Sequence, residues 1–346
     1  MRFVNVTDKN FEDIFMVSAK FEQWEYVKHH IFDMVNNYVA VVDEKYLPIP
    51  FLVYENDTII GFVQINYDDK KSIYEICKLI VHETEQNKGY GAKILSEVIN
   101  WVGIKFGQGT IAVTYKAANA VADKLFSNAG FKGKAAGDVV VAAMDLCNRE
   151  NVLLDSEFEE MPYATVGEFA RRIKKLKKYP ENIIGDEMGI HFRKVNMDDC
   201  KQIIEMRLFE SQEEYVMPFV DSLAESYSDL FEEEITVTYT LRNGEKAVGL
   251  VEMRYVKGEV FPGLKDKMVY ELFRILVDKE YQKEGYGTRA VQLFLDYVRG
   301  MPLGEADGIV TSVVEGNDVA LKLYERFGFV IIGKDKYGHT ALERKI

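Results

Sequence analysis

Apolar and polar positions follow one order of patterns along the chain, and that order occurs twice, about 196 residues apart. Short alternating or wholly apolar stretches, typical of strands, are interspersed with stretches that have the three-to-four-residue spacing of amphipathic helices. Such mixed alternation predicts an α/β (α+β type) fold, in which helices flank a mixed, mostly antiparallel sheet.

The repeat is clearest where an apolar stretch meets a glycine turn. Residues 74–81 (YEICKLIV) precede Gly89-Tyr90-Gly91, and residues 270–277 (YELFRILV) precede Gly285-Tyr286-Gly287 at the same spacing. A second block follows each copy, and it reads NAVADKLF at 119–126 and NDVALKLY at 317–324. This period is far longer than a solenoid unit, so it indicates a duplicated domain.

The pattern predicts an N-terminal domain at 1–146, a linker at 147–190 and a C-terminal domain at 191–346. The linker contains an amphipathic stretch, Val166–Leu176, which predicts a helix, and a basic run at 171–175 that we interpret as a solvated face. The predicted strands are Arg2–Val6, Phe51–Tyr54, Ile59–Tyr67 and Thr110–Thr114, and then His191–Val195, Ile235–Leu241, Ala247–Tyr255 and Gly308–Val314.

Length, charge and cysteine content limit the classes of protein to which this chain can belong. The 346 residues suffice for two domains, and the formal net charge of -13 argues against a nucleic-acid partner. Three cysteines without a CxxC motif fit a reduced compartment. The N-terminus lacks the apolar core of a signal peptide, and no run approaches the length of a membrane span. We therefore expect a cytoplasmic protein with no membrane partner.

The glycine turns have the composition of a phosphate-binding loop. Glycine permits positive φ and close backbone approach, and the helix that follows adds unpaired N–H groups and the positive end of its dipole. A P-loop is excluded because no Gly-Lys-Ser/Thr follows. The dinucleotide fingerprint is met by Gly285, Gly287 and Ala290, but Ile94 stands at the third position of the first copy. A tight strand-to-helix turn is the alternative interpretation of the glycines alone.

The turn does not stand alone, because Gln-x-x-Gly-x-Gly is followed about 30 residues later by Asn-x-x-Ala-x-x-Leu-[Phe/Tyr]-x-x-x-Gly-Phe. This pair of motifs resembles the GCN5-related N-acetyltransferase (GNAT) family, in both halves of the chain. The resemblance implies that the turn's N–H groups hold the pyrophosphate of acetyl-CoA and that the preceding strand pairs with its pantetheine arm. It also implies direct attack of an amine on the thioester.

The resemblance assigns acetyl-CoA to equivalent residues in the two copies. In the second copy they are Ile275, Leu276, Val277, Gln282, Glu284, Gly285, Tyr286, Gly287, Thr288 and Asn317. In the first copy they are Leu79, Ile80, Val81, Gln86, Lys88, Gly89, Tyr90, Gly91, Ala92 and Asn119.

Two further residues are catalytic candidates. Tyr324 matches the family's general acid, with a packing aromatic as the alternative role, whereas Phe126 leaves the first copy without that hydroxyl. The first copy is then slower, served by another acid, or a structural or CoA-binding remnant. Glu271 is the candidate general base, with Glu252 as a second carboxylate beside the expected cleft, and an ordinary strand carboxylate is the alternative role of each.

The acceptor is expected to be a small cationic amine. The window Ser211–Thr240 holds eight acidic residues and no Lys or Arg, a field that would attract a polycation. A solvated acidic face is the alternative interpretation of this window. This window and the run Arg274–Asp278 also resemble bacterial spermine/spermidine acetyltransferases. An aminoglycoside, a protein or peptide amine, and a non-catalytic acetyl-CoA sensor or scaffold are the alternatives.

No metal site is predicted, because the five histidines show no ligand spacing.

Family members often dimerise, so we expect either a homodimer or a monomer whose two copies mimic a dimer internally.

Overall fold

The computed structural model describes residues 1–7, 10–23, 26, 36–38, 40–41, 46–68, 70–107, 109–146, 154–159, 174–185, 189–196, 198–230 and 235–346. The chain forms two compact units, Met1–Thr165 and Val166–Ile346. Each unit contains one eight-stranded sheet with helices packed against it. The duplication and the α/β fold class predicted from the sequence are both confirmed.

The sheet of the first unit has the strand order β6-β7-β5-β4-β3-β2-β1-β8. Neighbouring strands are antiparallel except for the pairs β4–β5 and β1–β8, which are parallel. Its strands are β1 (Arg2–Asn5), β2 (Leu47–Glu55), β3 (Thr58–Asp68), β4 (Ile73–Val81), β5 (Thr110–Lys116), β6 (Lys132–Ala136), β7 (Val139–Asp145) and β8 (Glu157–Phe158).

The sheet of the second unit repeats this arrangement, with the order β15-β16-β14-β13-β12-β11-β10-β9. Its parallel pair is β13–β14, at the position of β4–β5 in the first unit. Its strands are β9 (Asn182–Ile184), β10 (Ile190–Lys194), β11 (Val237–Asn243), β12 (Lys246–Lys257), β13 (Met268–Val277), β14 (Gly308–Val313), β15 (Val330–Lys334) and β16 (Thr340–Arg344).

A long amphipathic helix follows the glycine turn in each unit and covers part of the sheet. Its buried residues recur at three-to-four-residue spacing, as in Ile94, Leu95 and Val98 of the first unit and Val291 and Phe294 of the second. The α-helices with described bounds are α1 (Tyr90–Phe106), α2 (Ala120–Asn128), α3 (Cys200–Glu205), α4 (Phe219–Asp229), α5 (Tyr286–Val298) and α6 (Asp318–Arg326). Short 3₁₀ turns lie at Phe11–Met16, Phe21–Gln23, Glu83–Glu85, Glu210–Gln212 and Lys279–Tyr281.

The segment expected to be a linker contributes an edge strand to each sheet. β8 pairs in parallel with β1, and β9 pairs with β10 in antiparallel register. The buried ammonium group of Lys194 fixes the segment that leads into β9. It donates to the carbonyls of Tyr179 and Leu176 at 3.0 and 3.4 Å. Of the helix predicted at 166–176, only residues 174–176 are described, and they are helical. Arg171, Arg172 and Ile173 of the basic run lie outside the described residues.

Membrane-spanning helices and clusters of metal ligands are both absent from the described residues. No helix among them is long and apolar enough to cross a membrane. No group of three or more His, Cys, Asp or Glu side chains among them could hold a metal ion. Among the described residues, neither Cys77 nor Cys200 forms a disulfide bond, whereas Cys147, His29 and His30 lie outside the described residues.

Candidate active site

The site begins where the parallel strand pair opens. β13 pairs with β14 only from Val269 to Glu271, and β4 pairs with β5 only from Ile73 to Ile76. Beyond these points each apolar strand continues without its parallel neighbour. Its backbone groups on that side are therefore available to an extended ligand.

A β-bulge lies next to each opening. The register of β12 with β13 shifts after Glu252, so Phe273 is the extra residue on its strand. Cys77 is the extra residue of β4 in the first unit. A bulge bends the strand that carries it. The bulges thus account for the divergence of the parallel pairs.

The glycine turns have the geometry expected of an anion cradle. Gly285 has φ 86° and Gly89 has φ 85°, and α5 and α1 begin at the next residue. The N–H groups of a first helical turn have no partner within the helix and point out of its end. A Cβ on Gly287 would meet only the Leu323 side chain within 4 Å, at 3.8 Å. The space beside the cradle is therefore open to a ligand.

The glutamine before each turn fastens it to the end of the apolar strand. Gln282 Nε2 donates to the carbonyl of Val277 at 2.9 Å, and its side chain also exchanges hydrogen bonds with Gln212. Gln86 Nε2 donates to the carbonyl of Val81 and to Gln23 Oε1. These side chains are engaged within the protein, so the glutamines position the loop and can offer only backbone groups to a phosphate.

A cation that sequence analysis did not single out lies beside the second cradle. Arg326 of α6 donates to the hydroxyl of Thr288, in the first turn of α5, at 3.2 Å. The corresponding residues of the first unit are Asn128 and Ala92, which carry no charge. The second cradle is therefore the more electropositive of the two at this point.

The predicted asparagines cap the helices that follow. Asn317 Oδ1 accepts a hydrogen bond from the N–H of Ala320, and Asn119 Oδ1 accepts from Ala122, both at 3.1 Å. The cap uses the carbonyl side of each amide, whereas the Nδ2 group carries two hydrogens that a ligand can accept. Helix capping explains why asparagine leads both helices.

In the first unit these features enclose a cleft of about 640 Å³. Except for Lys88, every residue predicted from the sequence to bind the donor in this unit lines the cleft. Lys88 instead pairs with Glu85 at 2.9 Å on an exposed surface. Other lining residues include Ile76, Cys77, Lys78, Val113 and Phe126.

Tyr324 lies at the strand opening of the second unit. Thr311 Oγ1 donates across the opening to the carbonyl of Leu272 at 2.9 Å, and the Tyr324 hydroxyl contacts Thr311. Burial raises the pKa of Tyr324 to about 12, and the hydrogen bond with Thr311 opposes part of that rise. The phenol therefore stays protonated, as a proton donor must. Its ring also lies 5.6 Å from that of Phe329, so it packs as well.

The first unit lacks both hydroxyls. Val113 stands at the position of Thr311, and Phe126 at that of Tyr324. Phe126 is buried and stacks on Tyr115, whose hydroxyl donates to Asp123 at 2.9 Å. The two units thus share the cradle but differ at the strand opening.

An ion-pair layer lies between α4 and the strands β12 and β13. Arg274 donates to Glu225 and to Glu252, both at 2.8 Å. Arg254 donates to Asp229 at 2.7 Å and lies 3.9 Å from Glu271. The layer consists of Glu225, Asp229, Glu252, Arg254, Glu271 and Arg274. Four carboxylates against two guanidinium groups give it a formal excess of two negative charges.

Burial changes the pKa values of two carboxyl groups in this layer. It raises the pKa of Glu252 to about 7, although Arg274 opposes the rise. Burial also raises the pKa of Asp229, against the opposing effect of Arg254. A carboxyl group that holds its proton near neutral pH, as Glu252 does, lowers the excess charge, and an organic cation could do the same.

Two of the corresponding positions of the first unit carry neutral amides. Gln64 replaces Glu252 and Asn66 replaces Arg254. The Gln64 side chain exchanges hydrogen bonds with Asn37 and donates to Asn66. The charged layer is therefore a property of the second unit.

Glu271, the predicted base, lies within this layer rather than apart from it. Its side chain is buried, and its charged neighbour is Arg254. The sequence pointed to Glu252 and Glu271 as strand carboxylates, but it did not reveal their arginine partners. Those pairs form only through strand register and the bulge at Phe273.

Comparisons with known proteins agree with this architecture. A model of the acetyltransferase (GNAT) family matches residues 12–131 and 201–329, one region in each unit. None of the curated proteins compared with the chain matches it significantly.

Solved structures similar to the chain include an acetyltransferase from Thermus thermophilus, with 15% identity, 48% of this chain and 99% of that chain covered, and a TM-score of 0.36. A chimera of the Vibrio cholerae spermidine N-acetyltransferase SpeG shows 14% identity over 42% of this chain and 96% of its own, with a TM-score of 0.34. The PaiA N-acetyltransferase of Thermoplasma acidophilum, solved with coenzyme A, shows 16% identity over 40% and 94%, with a TM-score of 0.32. Matches of this size do not identify a substrate.

The family assignment rests on the two matched regions, which together span most of the chain. Each region contains the strand opening, the glycine turn and the helix led by asparagine. The chain belongs to the GNAT acetyltransferase family and is an acetyl-CoA-dependent N-acetyltransferase with two tandem domains of that fold.

Proposed function

We propose that the second domain transfers acetyl from acetyl-CoA to a primary amine of a polyamine or similar small cation, within a ternary complex. The observation that carries the assignment to this domain is the pair of hydroxyls, Thr311 and Tyr324, at its strand opening. The first domain has Val113 and Phe126 at the same places.

Donor binding is assigned to the cradle and the open strand. The N–H groups at Gly285, Tyr286, Gly287 and Thr288 would hold the pyrophosphate, because they converge at the positive end of α5. Arg326 would add a charge-assisted contact beside them. Residues 275–277 would pair with the pantetheine arm, and the Nδ2 group of Asn317 would donate to it.

The chemistry assigned to Tyr324 is proton donation to the departing thiolate. Its buried phenol is held at the opening, and its raised pKa keeps the proton on the oxygen across the physiological range. A backbone N–H at the opening would stabilise the oxyanion that develops on the thioester carbonyl.

A cationic acceptor is favoured by charge. The ion-pair layer has excess carboxylate beside the opening, and α4 and the residues before it add further acids. Glu213, Glu214 and Asp221 are described, whereas Glu232, Glu233 and Glu234 lie outside the described residues. An acidic approach concentrates polycations and steers their amines.

For the first domain, one observation favours a second role, the binding of acetyl-CoA without transfer. Its cleft of about 640 Å³ keeps the cradle and Asn119, but the hydroxyl pair is replaced by apolar side chains. Such a domain would bind the donor as a sensor or as a structural element.

The experiment is acetyl-CoA turnover, detected as released CoA thiol, with spermidine, spermine, an aminoglycoside panel and a peptide with a free amine. Turnover that is fastest with the polyamines supports the proposal. Faster turnover with aminoglycosides or peptides would show that the acceptor is not a polyamine. Binding of acetyl-CoA without any turnover overturns the assignment of catalysis.

A further inference from the structure

The four carboxylates of the ion-pair layer differ in their access to solvent. The side chain of Glu225 is 24% exposed, that of Asp229 12%, that of Glu271 7% and that of Glu252 1%. A solute that enters from the side of α4 would reach Glu225 first. The other three are covered by protein atoms.

Arg274 joins the most exposed carboxylate to the most buried one. Its Nη2 donates to Glu225 Oε2 and its Nη1 donates to Glu252 Oε2. The ring of Phe273 lies 4.9 Å from the guanidinium carbon. Two carboxylates and one aromatic ring thus fix the orientation of a planar group that cannot turn without losing a bond.

Glu252 is itself held from the opposite side. Ser226 Oγ donates to Glu252 Oε1 at 3.1 Å, and Thr238 Oγ1 lies 3.4 Å from the same oxygen. The arrangement runs from a rigid buried carboxylate, through a fixed guanidinium group, to a carboxylate that a ligand can reach.

This arrangement lies at the strand opening. Arg274 directly precedes the strand residues assigned to the pantetheine arm. The equivalent residue of the first domain, Lys78, lines that domain's cleft. The first domain has the neutral amide Gln64 in place of Glu252.

Resting on the function proposed above, we propose that Glu225 binds the acceptor's ammonium group and takes its first proton, and that Glu252 positions Glu225 through Arg274. Glu225 then has the role for which Glu271 is the candidate by sequence. Glu271 is less suited to it, because its side chain is more buried than that of Glu225.

The proton balance of this reaction is complete with the groups present. The acceptor arrives as R–NH3⁺ and gives one proton to Glu225, which leaves R–NH2. The nitrogen bonds to the carbonyl carbon, the π pair moves to oxygen and returns, and the carbon–sulfur bond breaks with its electrons on sulfur. Tyr324 protonates the sulfur and regains a proton from the nitrogen. The products are the amide, the CoA thiol and one proton on Glu225.

The test compares Glu225→Gln, Glu252→Gln and the double variant in the full chain, with spermidine as acceptor. We expect Glu225→Gln to lower kcat about 100-fold, the lower end of the effect of a general base, with the KM for acetyl-CoA unchanged. Glu205→Gln is the matched control, because it removes an exposed carboxylate of the same unit that has no part in the proposed site. It should leave kcat and both KM values unchanged.

The double variant distinguishes positioning from a general structural role. If Glu252 acts through Glu225, Glu252→Gln lowers kcat in the wild-type background but not in Glu225→Gln. Multiplicative effects on kcat would overturn the positioning role. An unchanged kcat in Glu225→Gln would overturn the role of Glu225.

Two experimental outcomes distinguish the role of Glu225 from the function proposed for the domain. Wild-type protein that acetylates no amine of the panel overturns both. Wild-type protein that acetylates spermidine and is insensitive to Glu225→Gln overturns this inference and leaves the proposed function standing.

Discussion

The hydroxyl groups of Thr311 and Tyr324 meet where β13 separates from β14, and Thr311 Oγ1 spans the opening to the carbonyl of Leu272 at 2.9 Å. One residue lies on a strand and the other on α6, so the contact depends on the packing of that helix over the opening. In the first domain Val113 and Phe126 stand at these positions, and both line its cleft. The duplication therefore provides an internal comparison in which the scaffold is kept and the polar pair is absent.

Replacement of Tyr324 by Phe should lower kcat about 100-fold, because the departing thiolate loses its proton donor while the ring is kept. The KM for acetyl-CoA should change little, since the cradle is untouched. The measurement is steady-state release of CoA thiol. Tyr337→Phe makes the same chemical change at an exposed turn and should leave kcat unaltered. A wild-type kcat in Tyr324→Phe would leave the ring with a packing role only.

Replacement of Thr311 by Val should reduce kcat by a smaller factor, about 10-fold, because it removes a partner of Tyr324 and not the donor itself. It should also lower the free energy of unfolding by about 1 kcal/mol, since the carbonyl of Leu272 loses its hydrogen bond. Kinetics of the single and double variants check the coupling. If Thr311 acts through Tyr324, Thr311→Val has no further effect on kcat in Tyr324→Phe.

Glu252 should make the stability of the second domain depend on pH. Its pKa rises from the ordinary 4.5 to about 7 in the folded protein, so the folded state holds more protons than the unfolded state between these values. Stability therefore falls as pH rises from about 5 to 7, by about 3 kcal/mol in total. Glu252→Gln should flatten this part of the profile, as measured by urea unfolding at several pH values. An unchanged slope would contradict the buried, proton-holding state of this carboxyl.

Lys194 should be needed to fix the segment that leads into β9. Lys194→Met leaves the carbonyls of Tyr179 and Leu176 without the ammonium donor, at a cost of about 2 kcal/mol. Hydrogen exchange of amides in β9 and β10 would measure the loss, which should appear as faster exchange there. Lys178→Met, at an exposed position of the same segment, is the control and should not change exchange in these strands.

Much of the fold could be predicted from the sequence because both copies carry the same local signals. The glycine turns, the apolar strands before them and the asparagines that cap α2 and α6 are short-range features, and each lies where the pattern placed it. The edge strands β8 and β9 were missed because each has only two or three residues, too few for an alternating pattern. β8 also pairs with β1, at the other end of its unit.

The ion-pair layer could not be predicted for a different reason. Glu252 and Arg274 are 22 positions apart, and Glu225 is 49 positions from Arg274. They meet because strand register and a one-residue bulge turn Arg274 toward α4. A bulge at Phe273 has no distinctive residue type, so a pattern of apolar positions does not reveal it.

The most direct test of the central claim, that the second domain is the catalyst, compares Gly287→Val with Gly91→Val in the full chain. Each change places a side chain in one phosphate cradle, where an added Cβ would meet only one protein atom within 4 Å. Thermal unfolding would verify that both variants fold, and released CoA thiol with spermidine would measure turnover. We predict that Gly287→Val loses most of the kcat/KM for acetyl-CoA, whereas Gly91→Val keeps wild-type turnover. Loss of turnover in Gly91→Val with retention in Gly287→Val would contradict the account and assign the chemistry to the first domain.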